Sequence, residues 1–128
     1  MTPDLKILVW TVVLTFIEVG VAVLFANTQL GLGMLAGNRE DLPPLTGFAG
    51  RAQRAHQNML ESLPLFIALV LVAHIAGRAN GATVTGCELF FWGRLFHWIL
   101  YVIGVPWLRT VAWVISVIGL IVIFAQLV

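Results

Sequence analysis

Charge is what this sequence most lacks. Of 128 residues only 10% are Asp, Glu, Lys or Arg, while 60% are hydrophobic, and the mean hydropathy is +0.99. A soluble domain carries about 25% charged and about 45–50% apolar residues. So few charges cannot cover a water-facing surface, which excludes a soluble globular fold. Neither sign of charge dominates: seven Lys and Arg against six Asp and Glu leave a net +1. Without a basic patch, a nucleic-acid partner is excluded. A single cysteine, Cys87, excludes an internal disulfide framework and a thiolate metal cluster. The three histidines lie far apart, so there is no metal motif, and no Gly-x-Ser-x-Gly, phosphate loop or dinucleotide fingerprint occurs. Internal repeats and low-complexity segments are absent.

What remains is an all-α integral membrane protein of one domain, residues 1–128. Crossing the hydrocarbon layer takes about 20 mostly apolar residues. Four stretches qualify, at about 5–26, 58–77, 86–104 and 110–128, and predict a four-helix bundle. Glu18 inside the first stretch, Lys6 as its one basic residue and no clean cleavage site favour a retained helix over a signal peptide. The first connection, with Asn38-Arg39-Glu40-Asp41 and Pro43-Pro44, is the only substantial loop. It shares a side with Arg51, Arg54 and Arg109, whereas the terminal side has Lys6 and Arg78. The positive-inside rule then puts the first and third loops in the cytoplasm and both termini outside.

Ionisable groups within membrane spans are costly and mark function. Arg51, Arg54, Asn58 and Glu61 recur at i, i+3, i+7 and i+10, which aligns them on one helical face. Arg94, His97 and Tyr101 recur at i, i+3 and i+7 on the third helix. At about 1.5 Å per residue, Glu18, Glu61 and His97 all fall about 10 Å beneath the cytoplasmic interface, with Arg94 about one turn deeper. A purely structural role competes with this reading: Arg94 can pair with Glu18 or Glu61, and Arg51 and Arg54 can sit among headgroups. His74, Cys87 and Glu88 lie toward the far face, away from the cluster. Pro64 interrupts the second helix. Trp10 and Trp107 suit interfacial anchoring. Arginines suit carboxylates and a glutamate suits an ammonium. A site open to the cytoplasm and flanked by lipid therefore suits a polar cosubstrate meeting a lipophilic partner.

The run Arg51-Ala-Gln-Arg54-Ala-His-Gln-Asn58-Met-Leu-Glu61-Ser-Leu-Pro64 resembles the helix-2 signature R-x-x-R-A-x-x-N-x-x-E-x-x-P of the MAPEG family, the membrane-associated proteins in eicosanoid and glutathione metabolism. Arg94-x-x-His97-x-x-x-Tyr101 and Gly104-Val-Pro106-Trp-Leu-Arg109-Thr110 resemble further family segments. Three positions depart from leukotriene C synthase: Ser62 follows the helix-2 glutamate in place of tyrosine, and Asn27 and Gln29 stand where basic residues end helix 1.

The resemblance implies a homotrimer with glutathione, as cosubstrate, bound between neighbouring subunits near the cytoplasmic face. It implies that Arg51, Arg54, Asn58, Glu61, Arg94 and His97 bind glutathione. Arg109 and Tyr101 would be catalytic, Arg109 stabilising the thiolate, with the Thr110 hydroxyl beside it. The implied activity is transfer of the glutathione thiolate to lipophilic electrophiles, or reduction of lipid hydroperoxides, in a bacterial inner membrane and without a metal. A non-enzymatic lipid-binding or scaffold member is the alternative. Small-solute transport would need a continuous polar path, against which the apolar stretch from Leu65 to Ala73 argues.

Overall fold

The computed structural model describes residues 1–128. Its helices are α1 (Pro3–Leu30), a short α2 (Leu32–Ala36), α3 (Gly47–Ile75), α4 (Gly81–Ile103) and α5 (Pro106–Ala125). Local chemistry sets their ends. Pro3 and Pro106 occupy first turns, where the missing N–H has no helical partner to lose. Asn80 caps α4: its Oδ1 accepts from the N–H groups of Ala82 and Thr83, and its own N–H donates to Thr83 Oγ1 at 2.8 Å. Gly104, left-handed at φ 89°, closes α4 just before Pro106 starts α5.

Side-chain ties between helix ends make the chain run up, down, up and down. The Gln29 amide donates to Thr46 O (2.7 Å) and accepts from Thr46 N–H (3.1 Å), joining the end of α1 to the start of α3. Arg51 Nε donates to Val102 O at 2.9 Å, joining the start of α3 to the end of α4. At the opposite end, Asn80 Nδ2 donates to Gln126 Oε1 at 3.0 Å and holds the end of α5 against the start of α4.

Two differences from the sequence reading stand out. The second long helix starts at Gly47, well before the apolar stretch at about 58, and carries the whole polar stripe from Arg51 to Glu61 that the helical spacing predicts. Hydropathy registers the apolar thickness a helix crosses, and the amphipathic first turns of α3 fall outside that measure. Second, three helices, α1, α3 and α5, are long and apolar enough to cross a membrane. At 23 residues α4 has the length, but Glu88, Arg94 and His97 lower its hydropathy.

The core gathers Leu14, Met59, Leu63, Phe66, Val70, Cys87, Phe90 and Ile123, with Phe66 and Phe90 stacked at 4.1 Å between centroids. Large apolar side chains such as Phe16, Leu65, Trp107 and Ile121 face outward, as expected of a lipid-facing surface. In lipid, helix association rests on close packing and hydrogen bonding rather than on expelling water. The α4–α5 seam meets that demand with small residues: Gly86 and Gly93 on α4 oppose Ala112, Ser116 and Gly119 on α5. A Cβ added at Gly119 would lie 2.5 Å from Gly86 O, and one at Gly93 would lie 2.9 Å from Ala112 O.

Gly119→Val and Gly93→Val are therefore each expected to destabilise the protein by about 1–3 kcal/mol through overpacking. Gly20, with no atom within 4 Å of an added Cβ, is the control, and Gly20→Ala is expected to leave stability unchanged or slightly raised. Thermal unfolding followed by helical circular dichroism in detergent measures all three. A seam that tolerates valine at both positions would contradict the packing described.

Candidate functional site

A buried guanidinium organises the polar cluster. Arg94 is 1% exposed, and Glu18 on α1 is also 1% exposed. Glu18 and Glu61 are the carboxylates in its neighbourhood, and neither forms an ion pair with it. Arg94 Nη2 donates to Asn58 Oδ1 at 2.7 Å, while its Nε and Nη1, and Glu18 Oε2, are buried without hydrogen-bond partners. A buried charge survives only near an opposite charge or an oriented dipole. Asn58 supplies the oriented dipole from α3, and Glu18 of α1 is buried nearby without a hydrogen bond or ion pair to the guanidinium.

This contact also orients Asn58. An arginine only donates, so the amide oxygen must face it, and the Asn58 NH2 is left for other partners. Asn58 lines a cleft of about 290 Å³ together with His97, Tyr101, Arg109, Thr110 and Trp113. The Arg109 guanidinium lies over the Tyr101 ring, 4.2 Å from its centroid, a cation–π contact that fixes both side chains. Tyr101 in turn meets the His97 ring edge to face at 5.5 Å. No carboxylate lines the cleft. Its polar groups are a guanidinium, an amide NH2, two hydroxyls and an imidazole, which together suit an anion.

Of the eight predicted site residues, Asn58, His97, Tyr101 and Arg109 converge on this cleft. Arg94 lies behind it and acts through Asn58. Arg51 is engaged with Val102 O at the end of α4 and lies 4.7 Å from the Phe48 ring centroid. Arg54 and Glu61 share the α3 stripe with Asn58 but are exposed and outside the cleft lining. Thr110, noted for its hydroxyl, does line the cleft, although that hydroxyl donates to Pro106 O at 3.2 Å. Sequence reasoning missed Trp113. Its place one turn beyond Arg109 was the available signal, but as one of five tryptophans on an apolar helix it reads as an interfacial anchor. His74 and Glu88 are exposed, and Cys87 is buried and free.

The MAPEG family model matches residues 7–128 of the chain. The chain belongs to the MAPEG family. No curated protein and no solved structure gave a match. Membership makes it an integral membrane protein of a family with glutathione-related transferase and isomerase roles. In this MAPEG chain the helix-2 signature spans one continuous stretch of α3, from Arg51 to Pro64.

If Glu18 and Arg94 stabilise one another, removing either alone leaves an uncompensated buried group. Arg94→Met is expected to destabilise by about 3–5 kcal/mol, and adding Glu18→Gln is expected to recover much of that loss. Unfolding midpoints of both single variants and the double variant in detergent test this. Strictly additive effects would show that the two charges are independent.

Proposed function

We propose that this MAPEG protein is a glutathione-dependent membrane transferase that conjugates the glutathione thiolate to lipophilic electrophiles. The observation that carries the reading is the anion-suited cleft in which the Arg109 guanidinium, the Tyr101 hydroxyl and the free Asn58 NH2 converge. A free thiol has a pKa of about 8.5, and a fixed cation beside it increases the thiolate fraction at neutral pH. Arg109 provides that cation, and Tyr101 places a hydroxyl beside the same sulfur. The thiolate attacks an electrophilic carbon, a carbon–sulfur bond forms, and the leaving group departs with its electron pair. The thiol proton passes to solvent. Arg54, Glu61, Arg51 and His97 hold the charged ends of glutathione, and Arg94 acts through Asn58.

The working assembly in this proposal is a homotrimer of four-span protomers, α4 crossing the membrane as part of the bundle. Glutathione binds between neighbouring protomers, close to the loop end of the helices. Arg54 and Glu61, exposed beside the cleft, are the side chains such a neighbour would help enclose. The loop end faces the cytoplasm and both termini face outside, in a bacterial inner membrane. The lipophilic partner arrives through the bilayer.

The test is turnover of glutathione with 1-chloro-2,4-dinitrobenzene, an electrophile that releases chloride on substitution. Arg109→Ala is expected to lower kcat/KM by about 100-fold or more, the scale for removing a preorganised charge stabiliser, while glutathione binding is retained. The residual rate is expected to rise with pH toward the ordinary thiol pKa of about 8.5, because the fixed cation no longer favours the thiolate. A variant with wild-type rate and pH profile would sink Arg109 as the activating group. Absence of turnover by the wild-type protein with any electrophile tried would favour the non-enzymatic reading.

A further inference from the structure

A glutamate occupies a position on α1 that an apolar side chain would fill without penalty. Thr11, Leu14, Glu18 and Ala22 recur at i, i+3, i+7 and i+11 along the buried face of that helix, and α1 packs against both α3 and α4. Glu18 is 1% exposed, its Oε2 has no hydrogen-bond partner, and the chemistry proposed above makes no use of it. The hydroxyls in the preceding turns do not serve it. Thr11 Oγ1 donates to Ile7 O at 2.8 Å and Thr15 Oγ1 to Thr11 O at 2.9 Å.

On α4 the imbalance is of the opposite kind. Arg94 Nε and Nη1, and Trp98 Nε1 one turn along, are buried donors without acceptors. Of the two carboxylates in the neighbourhood of Arg94, Glu61 is exposed and Glu18 is buried. Glu18 is thus the buried acceptor within range, yet no hydrogen bond or ion pair joins it to the guanidinium. A water molecule suits that gap. It accepts from a guanidinium, which only donates, and donates to a carboxylate, which only accepts. Two hydrogen bonds of about 2.8–2.9 Å each span a separation just beyond direct reach. Buried waters characteristically join polar groups that the chain leaves unmatched.

We propose that at least one bound water links Glu18 Oε2 to a free donor of Arg94, and that Glu18 acts through this link as a positioning residue for the cleft. Arg94 is then held from two sides, by Asn58 on α3 and through the water by Glu18 on α1. A guanidinium held at both ends keeps the Asn58 amide in one orientation, with its NH2 toward the cleft. The link itself stands on burial and hydrogen-bonding capacity, whereas its effect on the cleft rests on the glutathione reading given above.

The test compares the full-length wild-type protein, Glu18→Gln and Glu18→Met in detergent, by crystal structures that resolve ordered water and by calorimetric titration with glutathione. Glutamine keeps an acceptor oxygen for the water, and methionine keeps the length without it. Density for water between residues 18 and 94 is expected in the wild-type protein and in Glu18→Gln, and its loss in Glu18→Met. Glu18→Gln is expected to bind glutathione with close to wild-type affinity, and Glu18→Met about fivefold more weakly, the worth of one hydrogen bond. A direct contact between the Glu18 carboxyl and the guanidinium, with no water between them, would overturn the link. Equal losses of affinity in the two variants would overturn it too, since charge rather than the acceptor would then matter. A lower thermal midpoint for Glu18→Met with unchanged affinity would make Glu18 a structural residue only and overturn its positioning role. If the wild-type protein takes up no glutathione, the transferase reading fails and the positioning role with it, while the water link is still decided by the density.

Discussion

A guanidinium with 1% exposure inside an apolar helical bundle imposes a demand that few side chains can meet. Arg94 needs an acceptor at hydrogen-bond distance and a negative charge nearby, because bulk water does not replace them at that depth. Asn58 provides the acceptor from α3, and the Glu18 carboxyl of α1 is buried in the same region without pairing directly with the guanidinium. One buried side chain therefore ties α4 to α3. The same contact decides which way the Asn58 amide points. The donor character of the cleft follows from an interaction that lies outside the cleft.

The remaining geometry depends on how closely the backbone approaches itself. Glycines in the α4–α5 seam let the two helices pack nearly backbone to backbone. The short turn through Gly104 and Pro106 returns the chain at once. Together they bring Arg109, on the first turns of α5, over Tyr101 near the end of α4. A bulkier seam would hold the helices apart and break that contact. Arg51, tied to a carbonyl at the end of α4, braces the same corner from α3. Packing in one part of the bundle thus sets the chemistry presented at its end.

Much of this was legible in the sequence, for identifiable reasons. Membrane character followed from the scarcity of charge, and the two polar stripes followed from helical spacing, since Asn58, His97 and Tyr101 do meet. Family membership followed from the helix-2 signature. The polar spacing carried α3 back to Arg51, but its first turn from Gly47 was not legible, because it has neither an apolar run nor a polar stripe. The division of labour among the arginines was hidden as well. Arg51, Arg94 and Arg109 look alike in sequence, yet one ties helix ends, one is buried behind an amide and one faces the cleft. Only tertiary contacts separate those roles.

The central claim is that Arg94 fixes Asn58 so that its NH2 serves an anionic thiol. The most direct test is calorimetric titration of glutathione into the wild-type protein and into Asn58→Asp. An aspartate keeps an acceptor for Arg94 but replaces the donor facing the cleft with a carboxylate oxygen. The account predicts saturable binding by the wild-type protein and a variant that is folded and equally stable but binds glutathione at least tenfold more weakly, about 1.4 kcal/mol. Equal affinity in the two proteins would contradict it, since the Asn58 NH2 would then have no part in holding the ligand.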